Sequence, residues 1–532
     1  MRTLLKNGKI YDGTGSEAAA GDLLIEEDRI IKMGPALEEP ADRVIDLEGL
    51  SVAPGFIDSH SHNDWFAIKK EPPPYFEPFI RQGISTFVAG NCGISEVGFE
   101  KDSPFIDHVG AGLFAFDNNT GRYGSVREFF SAVDRRMPCN MLELAGHCSA
   151  RSSVSGYENR PLTPAEEEKM LAILEKALQE GAAGLSLGLM YVPGVYSNTE
   201  EIRKMAQLCV KYNKPLTVHP RAESKVSMSY PLVGRAHILR ALDELVEISK
   251  GTSLKLQYSH AIFVGRSSFR YKDEFLKILN DQRAQGIDMM FDIYNELRGV
   301  SVITVILPDW FQGLSPEEKK KPATRLKLRA LVAATSKLLG FGFNDIEIAY
   351  IGPGYERYEG KSVHQIAQEE HASDFDTYLK LCELSHFQGR VNMGPYTTNE
   401  IIHDFEKNPH CLYITDAWVE EHGIQNPVLH DCFPRFLRDS LLGLGDTMPR
   451  TIRRMTGAAA DRFSIPERGY LREGYYADLT VFNEEKLKSG VPGQGKSFGI
   501  EKLFINGSLV LDQDRLDHGA LQTSGRAIAV YS

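Results

Sequence analysis

The stretch Gly55-Phe56-Ile57-Asp58-Ser59-His60-Ser61-His62-Asn63-Asp64 decides how this chain is read. An apolar run with the length of a buried strand breaks off in a His-X-His pair. Side chains alternate along a strand, so both imidazoles of such a pair point the same way. Two neutral imidazoles side by side suit a borderline cation such as zinc. Alone, the pair could equally cap a strand, and the rest of the chain has to choose.

Working outward, further short apolar runs alternate with amphipathic helices, the pattern of a parallel α/β fold. Counting 55–59, the strand candidates are 85–90, 141–145, 184–189, 216–218, 254–259, 288–293 and 412–415, eight in all. Eight parallel strands with interleaved helices favour a (β/α)8 TIM barrel over an open doubly wound sheet. One helix carries its own boundary signals. Thr163-Pro164-Ala165-Glu166 is a capping box with proline at the first helical position, Met170, Leu174 and Leu178 form the apolar stripe, and Gly181 supplies the stop.

Several runs close on a residue that can bind metal. Ala89-Gly90-Asn91-Cys92-Gly93 ends the second, Thr217-Val218-His219 the fifth, Tyr258-Ser259-His260 the sixth and Ile414-Thr415-Asp416 the eighth. Functional groups of a barrel sit at the C-terminal ends of different strands. Cys92, His219, His260 and Asp416 beside His60 and His62 therefore read as a metal constellation. Singly, Cys92 would be a small buried apolar residue, His219 a hydrogen-bonded core histidine and Asp416 a helix cap. Zinc held by a thiolate and two imidazoles keeps an open position for water or a carbonyl, and Asp416 can serve as proton acceptor and donor. The thiolate's charge tempers the Lewis acidity relative to an all-histidine site.

Both termini read as short strands and turns, which predicts one small β-sandwich domain built from 1–52 and 466–532 around a barrel over 53–465. The span 295–411 is too long for an ordinary connection and reads as an inserted lid or subdomain before the last barrel strand. The 532 residues alone suggested three or four domains. Sixty Lys and Arg against 72 Asp and Glu leave a net charge of −12, which argues against nucleic acid or an anionic membrane as partner. Seven cysteines without framework spacing, no signal-peptide core and no run of 18 apolar residues point to a cytoplasmic protein acting on a small molecule. Oligomeric state is not legible.

These residues resemble the amidohydrolase superfamily, specifically the D-aminoacylase (N-acyl-D-amino-acid deacylase) family. The resemblance spans nearly the whole chain. It is carried by Asn7-Gly8-Lys9-Ile10-Tyr11-Asp12-Gly13, by the His60/His62 segment, and by Gly90-Asn91-Cys92-Gly93-Ile94-Ser95, the most family-specific stretch. Gly184-Leu185-Ser186-Leu187-Gly188-Leu189-Met190-Tyr191, His219-Pro220-Arg221-Ala222-Glu223 and Ile452-Arg453-Arg454-Met455-Thr456 also match. The resemblance implies a tight zinc site at Cys92, His219 and His260, and a second, weaker one at His60, His62 and Asp416. It places Tyr191, His147 and Arg151 in segments that line the substrate pocket or support it. Two family features are missing. Isoleucine (Ile262) stands where a lysine usually follows the sixth-strand histidine, and Leu429-His430-Asp431-Cys432-Phe433-Pro434-Arg435 is a shortened version of the usual His-Pro-Arg region. That leaves Tyr294 and His430 as candidate substrate contacts. The expected activity is metal-dependent hydrolysis of a C–N bond, by default in an N-acyl-D-amino acid. The alternative is ring opening of a neutral cyclic amide, imide or ketone by the same metal site. A non-catalytic relative should have lost ligands, and this chain retains the set.

Overall fold

The computed structural model describes residues 1–110, 122–227, 229–231 and 234–531. Eight parallel strands form the central sheet: β1 (Phe56–Asp58), β2 (Ile84–Ala89), β3 (Asn140–Gly146), β4 (Gly184–Gly188), β5 (Pro215–His219), β6 (Lys255–Tyr258), β7 (Met289–Ile293) and β8 (Cys411–Tyr413). Sequential strands are neighbours from β1 to β8. The last returns to the first just beyond its C-terminal end, where Thr415 N–H and Oγ1 donate to the two carboxylate oxygens of Asp58 at 3.1 and 2.5 Å. Asp416 N–H donates to His60 O at 3.2 Å. A buried carboxylate thus clasps the barrel shut, and burial, offset in part by Thr415 and His60 N–H, pushes its pKa up to about 7.

The strands are buried along almost their whole length, as expected of a parallel sheet covered by helices. The helix Pro164–Gln179 starts with the reciprocal Thr163/Glu166 capping box expected from its sequence, and buries Met170, Leu174, Ala177 and Leu178. Helices Thr199–Lys211, His237–Ser249 and Lys272–Ala284 cover the next three crossovers in the same way.

A second sheet combines both ends of the chain. Arg2–Ile10 pairs antiparallel with Ala19–Glu26 and parallel with Ser51–Pro54, and Ser51–Pro54 pairs antiparallel with Leu479–Phe482. Leu5, Leu23, Ile25, Val52, Leu479 and Val481 form its core. Its anchor on the barrel is polar. Asn140, opening β3, donates to Asp478 at 3.1 Å and accepts from Asn506 Nδ2 at 2.7 Å. One part of 466–532 lies elsewhere than expected. The last residues run along the start of β3, with Met141 N–H donating to Arg526 O and Ile528 N–H to Met141 O. Ile528 and Val530 there join a barrel cluster with Leu142 and Leu144. The apolar bottom of the barrel needs a cover, and the alternating apolar residues of this tail supply it.

Between β7 and β8 the chain builds a three-stranded antiparallel sheet, Gly299–Val302, Arg390–Met393 and Ile346–Tyr350, with helices that include Pro322–Leu339 and Asp374–Leu384. This piece is tied down beside the end of β7. Asn295 Nδ2 donates to Asp439 at 2.7 Å and to Glu406 at 3.3 Å. Burial first, and the neighbouring Asp439 second, push Glu406 up to about 9. Arg454, Lys407, Arg438, Arg435 and His403 surround the pair without reversing this. Unfolded, Glu406 loses its proton near its ordinary 4.5, so folding takes up a proton between that pH and about 9. Stability from this pair is therefore full in acid and falls as pH rises through the window. Glu406→Gln should raise the melting temperature at pH 8 by about 2 °C or more and change it less at pH 5. Equal shifts at both pH values, read by calorimetry, would contradict this.

Candidate metal centre

The strand ends converge at the C-terminal mouth of the barrel. Cys92 Sγ lies 3.3 Å from His60 Nε2, 3.5 Å from His260 Nε2 and 3.7 Å from His219 Nδ1. These are about the separations of ligand atoms around one tetrahedral zinc, given Zn–N near 2.0–2.1 Å and Zn–S near 2.3 Å. Asp416 Oδ1 stands 3.4 Å from His60 Nε2 and 3.7 Å from His62 Nε2. Three overlapping donor groups result, His60–Cys92–His260, His60–His62–Asp416 and His219–Glu223–His260; His60 links the first two and His260 the first and third. His219 joins through His260, its Nδ1 2.7 Å from His260 Nε2, a hydrogen bond whose proton a cation would displace.

Backbone conformation aims these groups. Cys92, His260 and Asp416 adopt left-handed φ angles of 53°, 31° and 50°. Non-glycine residues held there cost about 1–3 kcal/mol each and persist only where surrounding structure over-determines them. Glycine relieves the crowding on either side of Cys92, at Gly90 (φ 75°) and Gly93 (φ 77°).

Electrostatics show what the cluster lacks. Burial pushes the Cys92 thiol up, but the facing imidazoles of His60, His219 and His260 outweigh it and hold it well below the usual thiol range. Burial alone would strip the proton from His60, yet Cys92 and Asp416 keep it to about 10, and the same partners hold His62 to about 9. The thiolate and the carboxylate favour positive charge between them, whether as protons on the rings or as a cation. A soft thiolate among imidazoles, all buried, fits zinc rather than magnesium or calcium. Asp416 keeps 23% of its side chain exposed and faces the opening.

A supporting layer was not singled out from the sequence. Glu223 Oε1 is 2.8 Å from His260 Nδ1 and Oε2 is 3.8 Å from His219 Nε2, so one carboxylate pairs with His260 and lies within ion-pair range of His219. Asp292 accepts from His260 N–H at 2.6 Å and lies 3.5 Å from His60 Nδ1. An acid inside the apolar run of β7 was the available signal for Asp292; an acid four residues beyond a strand-end histidine was the signal for Glu223. Trp418 packs edge-on against His62, centroids 5.5 Å apart.

The other expected contacts divide. Tyr191 packs against His219 with the rings tilted by 48° and centroids 4.6 Å apart, and its hydroxyl reaches His219 Nδ1 at 3.3 Å. Tyr294, buried at the end of β7, lies in the field of Asp416 and Glu223. His147 and Arg151 do not line an open pocket. Both are fully buried on Glu201 Oε1, at 2.8 and 3.1 Å, and Arg151 also donates to Arg160 O. Burial opposes it, but these two partners hold Glu201 at about 2, a sealed ion cluster that braces the segment after β3. His430 is half-buried on the turn before Cys432–Leu441 and contacts none of the donor groups among the described residues. Arg435 is committed to Glu296 at 2.7 Å and Asp431 at 2.8 Å.

A family model described as "Amidohydrolase family" matches residues 43–264. The chain is 25% identical to a D-aminoacylase of Alcaligenes xylosoxydans xylosoxydans over 99% of its own length and 97% of the relative's. It superposes on a crystal structure of D-aminoacylase with a TM-score of 0.78 at 25% identity, covering 99% of each chain. An N-acyl-D-glutamate deacylase from Bordetella bronchiseptica, complexed with zinc and a phosphonate inhibitor, shares the fold with a TM-score of 0.78 at 23% identity and 99% coverage of each chain.

Glu223→Gln should weaken zinc binding about 10- to 100-fold with the fold retained, because only the orientation and basicity of His260 and His219 change. Chelator competition followed by elemental analysis measures this; an unchanged zinc affinity would remove Glu223 from the site.

Proposed function

The chain belongs to the amidohydrolase superfamily, on the side of the D-aminoacylases, and from that footing we propose a zinc-dependent deacylase that hydrolyses the amide bond of an N-acyl-D-amino acid to a carboxylate and a free amine. The observation that carries this reading is the position of Asp416. Its Oδ1 stands 3.4 Å from His60 Nε2, it is the donor with a face toward the opening, and His60, His62 and His260 hold its carboxyl below the usual range despite burial. Zinc, when bound by Cys92 with His219, His260 and His60, supplies Lewis acidity toward a carbonyl oxygen and toward water.

The remaining work falls to side chains. Asp416, ionised at neutral pH, accepts a proton from the attacking water at Oδ1 and returns it to the departing nitrogen. His60 and His62 hold that carboxylate in place. Tyr191, its phenol raised far above the usual range by burial and by nearby Cys92 and Glu223, stays neutral and offers an O–H toward the cluster. Ring opening of a neutral cyclic amide, imide or ketone would use the same groups, and nothing in the donor cluster favours it over deacylation. The substrate is a small molecule. Seven cysteines, all unpaired, support a reducing compartment such as the cytoplasm. No helix among the described residues is long and apolar enough to cross a membrane.

With zinc-loaded protein and N-acetyl-D-methionine, Asp416→Asn should lower kcat/KM by about 10²–10⁴-fold while zinc stays at the thiolate group. Wild-type protein that cleaves no N-acyl-D-amino acid, whatever the acyl chain, would overturn the deacylase reading.

A further inference from the structure

Asp416 is followed by residues 417–426, which form no helix or strand. Its own left-handed φ of 50° persists only while the chain on both sides is held. Upstream, Thr415 is tied to Asp58 and Asp416 N–H to His60 O. Downstream, most of the holding groups come from the inserted sheet.

Arg390, which opens the strand Arg390–Met393, is the hub of these contacts. Its Nη1 lies 2.5 Å from Glu420 Oε2, and its Nη2 donates to His422 O at 2.7 Å and to Ile424 O at 2.9 Å. Ile424 N–H donates to Ala349 O of the neighbouring strand at 2.9 Å. Gly423 permits that approach, since with its φ of 77° a Cβ there would stand 2.1 Å from Ala349 O. Glu420 is closed onto Gln425 by two reciprocal bonds of 2.9 Å. From the other side Tyr75 and Lys69 reach Glu421 at 2.8 and 3.4 Å, but that carboxylate is 51% exposed. Arg390 and Glu420 keep only 14% and 17% of their side chains exposed, so their pair is screened little and removing one partner strands the other.

Trp418 joins this strap to the metal ligands. Its Nε1 donates to Glu420 Oε1 at 2.8 Å, and its ring stands perpendicular to His62 with centroids 5.5 Å apart. His62 Nε2 in turn lies 3.7 Å from Asp416 Oδ1. With Nε1 committed to Glu420, the indole cannot turn away from His62 without giving up that bond. We propose that Arg390 is a positioning residue for the His62–Asp416 edge of the metal centre: acting through Glu420 and Trp418, it makes the inserted subdomain part of what sets Asp416 for proton transfer. The reaction in this inference rests on the deacylase reading; the line of contacts does not.

With zinc-loaded protein and N-acetyl-D-methionine, Arg390→Met should lower kcat about 10- to 100-fold and change KM less than about threefold, because a displaced Asp416 acts on the chemical step. Trp418→Phe keeps an aromatic ring against His62 and removes the Nε1 donor. Added to that variant, Arg390→Met should cost less than about threefold more in kcat, since both changes act along one line of contacts. A second full loss in the double variant overturns the proposal, and so does an unchanged kcat in Arg390→Met. Acrylamide quenching of Trp418 emission, taken as the difference between each protein and its Trp418→Phe counterpart, reads the positioning without turnover. Its Stern–Volmer constant should rise about twofold or more in Arg390→Met as the strap loosens. An unchanged constant overturns the proposal. Arg390→Lys keeps a charge beside Glu420 without the planar fork to both carbonyls, so it should fall between wild type and Arg390→Met, and it serves in place of a methionine variant that does not fold. A lysine variant equal to wild type in kcat and quenching overturns the proposal. Wild-type protein without turnover would sink the deacylase reading, and the quenching comparison then decides the positioning alone.

Discussion

Burying a thiolate, several imidazoles and a carboxylate within a few ångströms of one another is unfavourable unless positive charge joins them, and the mouth of this barrel is organised around that demand. The Cys92 sulfur is the centre, within 3.7 Å of nitrogens from His60, His219 and His260. Its negative charge holds protons on rings that burial would otherwise strip. A divalent cation meets the same demand more fully, since every donor can then be deprotonated at once. Thiolate chemistry tilts the choice toward zinc, and the partly open carboxylate of Asp416 gives the centre a route to a substrate.

The rest of the barrel holds this arrangement still. Asp58 clasps β8 to β1 and in doing so fixes the distance between His60 and Asp416. Glu223 stands behind the His260 ring and Asp292 behind the His60 ring, so that the inward nitrogen of His260 is set by the contact of the outward one, while Asp292 also holds the His260 backbone N–H. Three donor-bearing residues sit in the left-handed region of backbone space, strain that the closed sheet can sustain because strand pairing leaves those strand ends nowhere else to go. The sealed Glu201 cluster and the Glu406–Asp439 pair do similar work farther out, for the segments after β3 and β7.

Over that rigid floor the inserted subdomain supplies the variable part. It brings Tyr396 beside Tyr294 at Gly299, and its Arg298 is paired with Glu347 of its own sheet. The metal donors come from strand ends and the segments just after them, and the long connection between β7 and β8 contributes none of them.

Much of this was legible before any coordinates. Eight apolar runs with helices between them specify the barrel, and each of the five that close on Cys, His or Asp announces a donor at the end of a strand. The identity of the donors, and with it the preference for zinc, is written in residue types. What the chain could not disclose is who meets whom. Cys92 and His260 are 168 residues apart, and their contact exists because the sheet closes with one particular register. Glu223 and Asp292 are ordinary acids until that closure turns them behind the rings, and Arg151 is a plausible substrate contact until burial commits it to Glu201. Tyr396 lies in an insertion without strong periodicity, and its place beside Tyr294 follows from how that insertion folds back. Local patterning determines which elements form because it acts through neighbours in the chain; the pairing of groups across the site is decided by packing, which no local pattern contains.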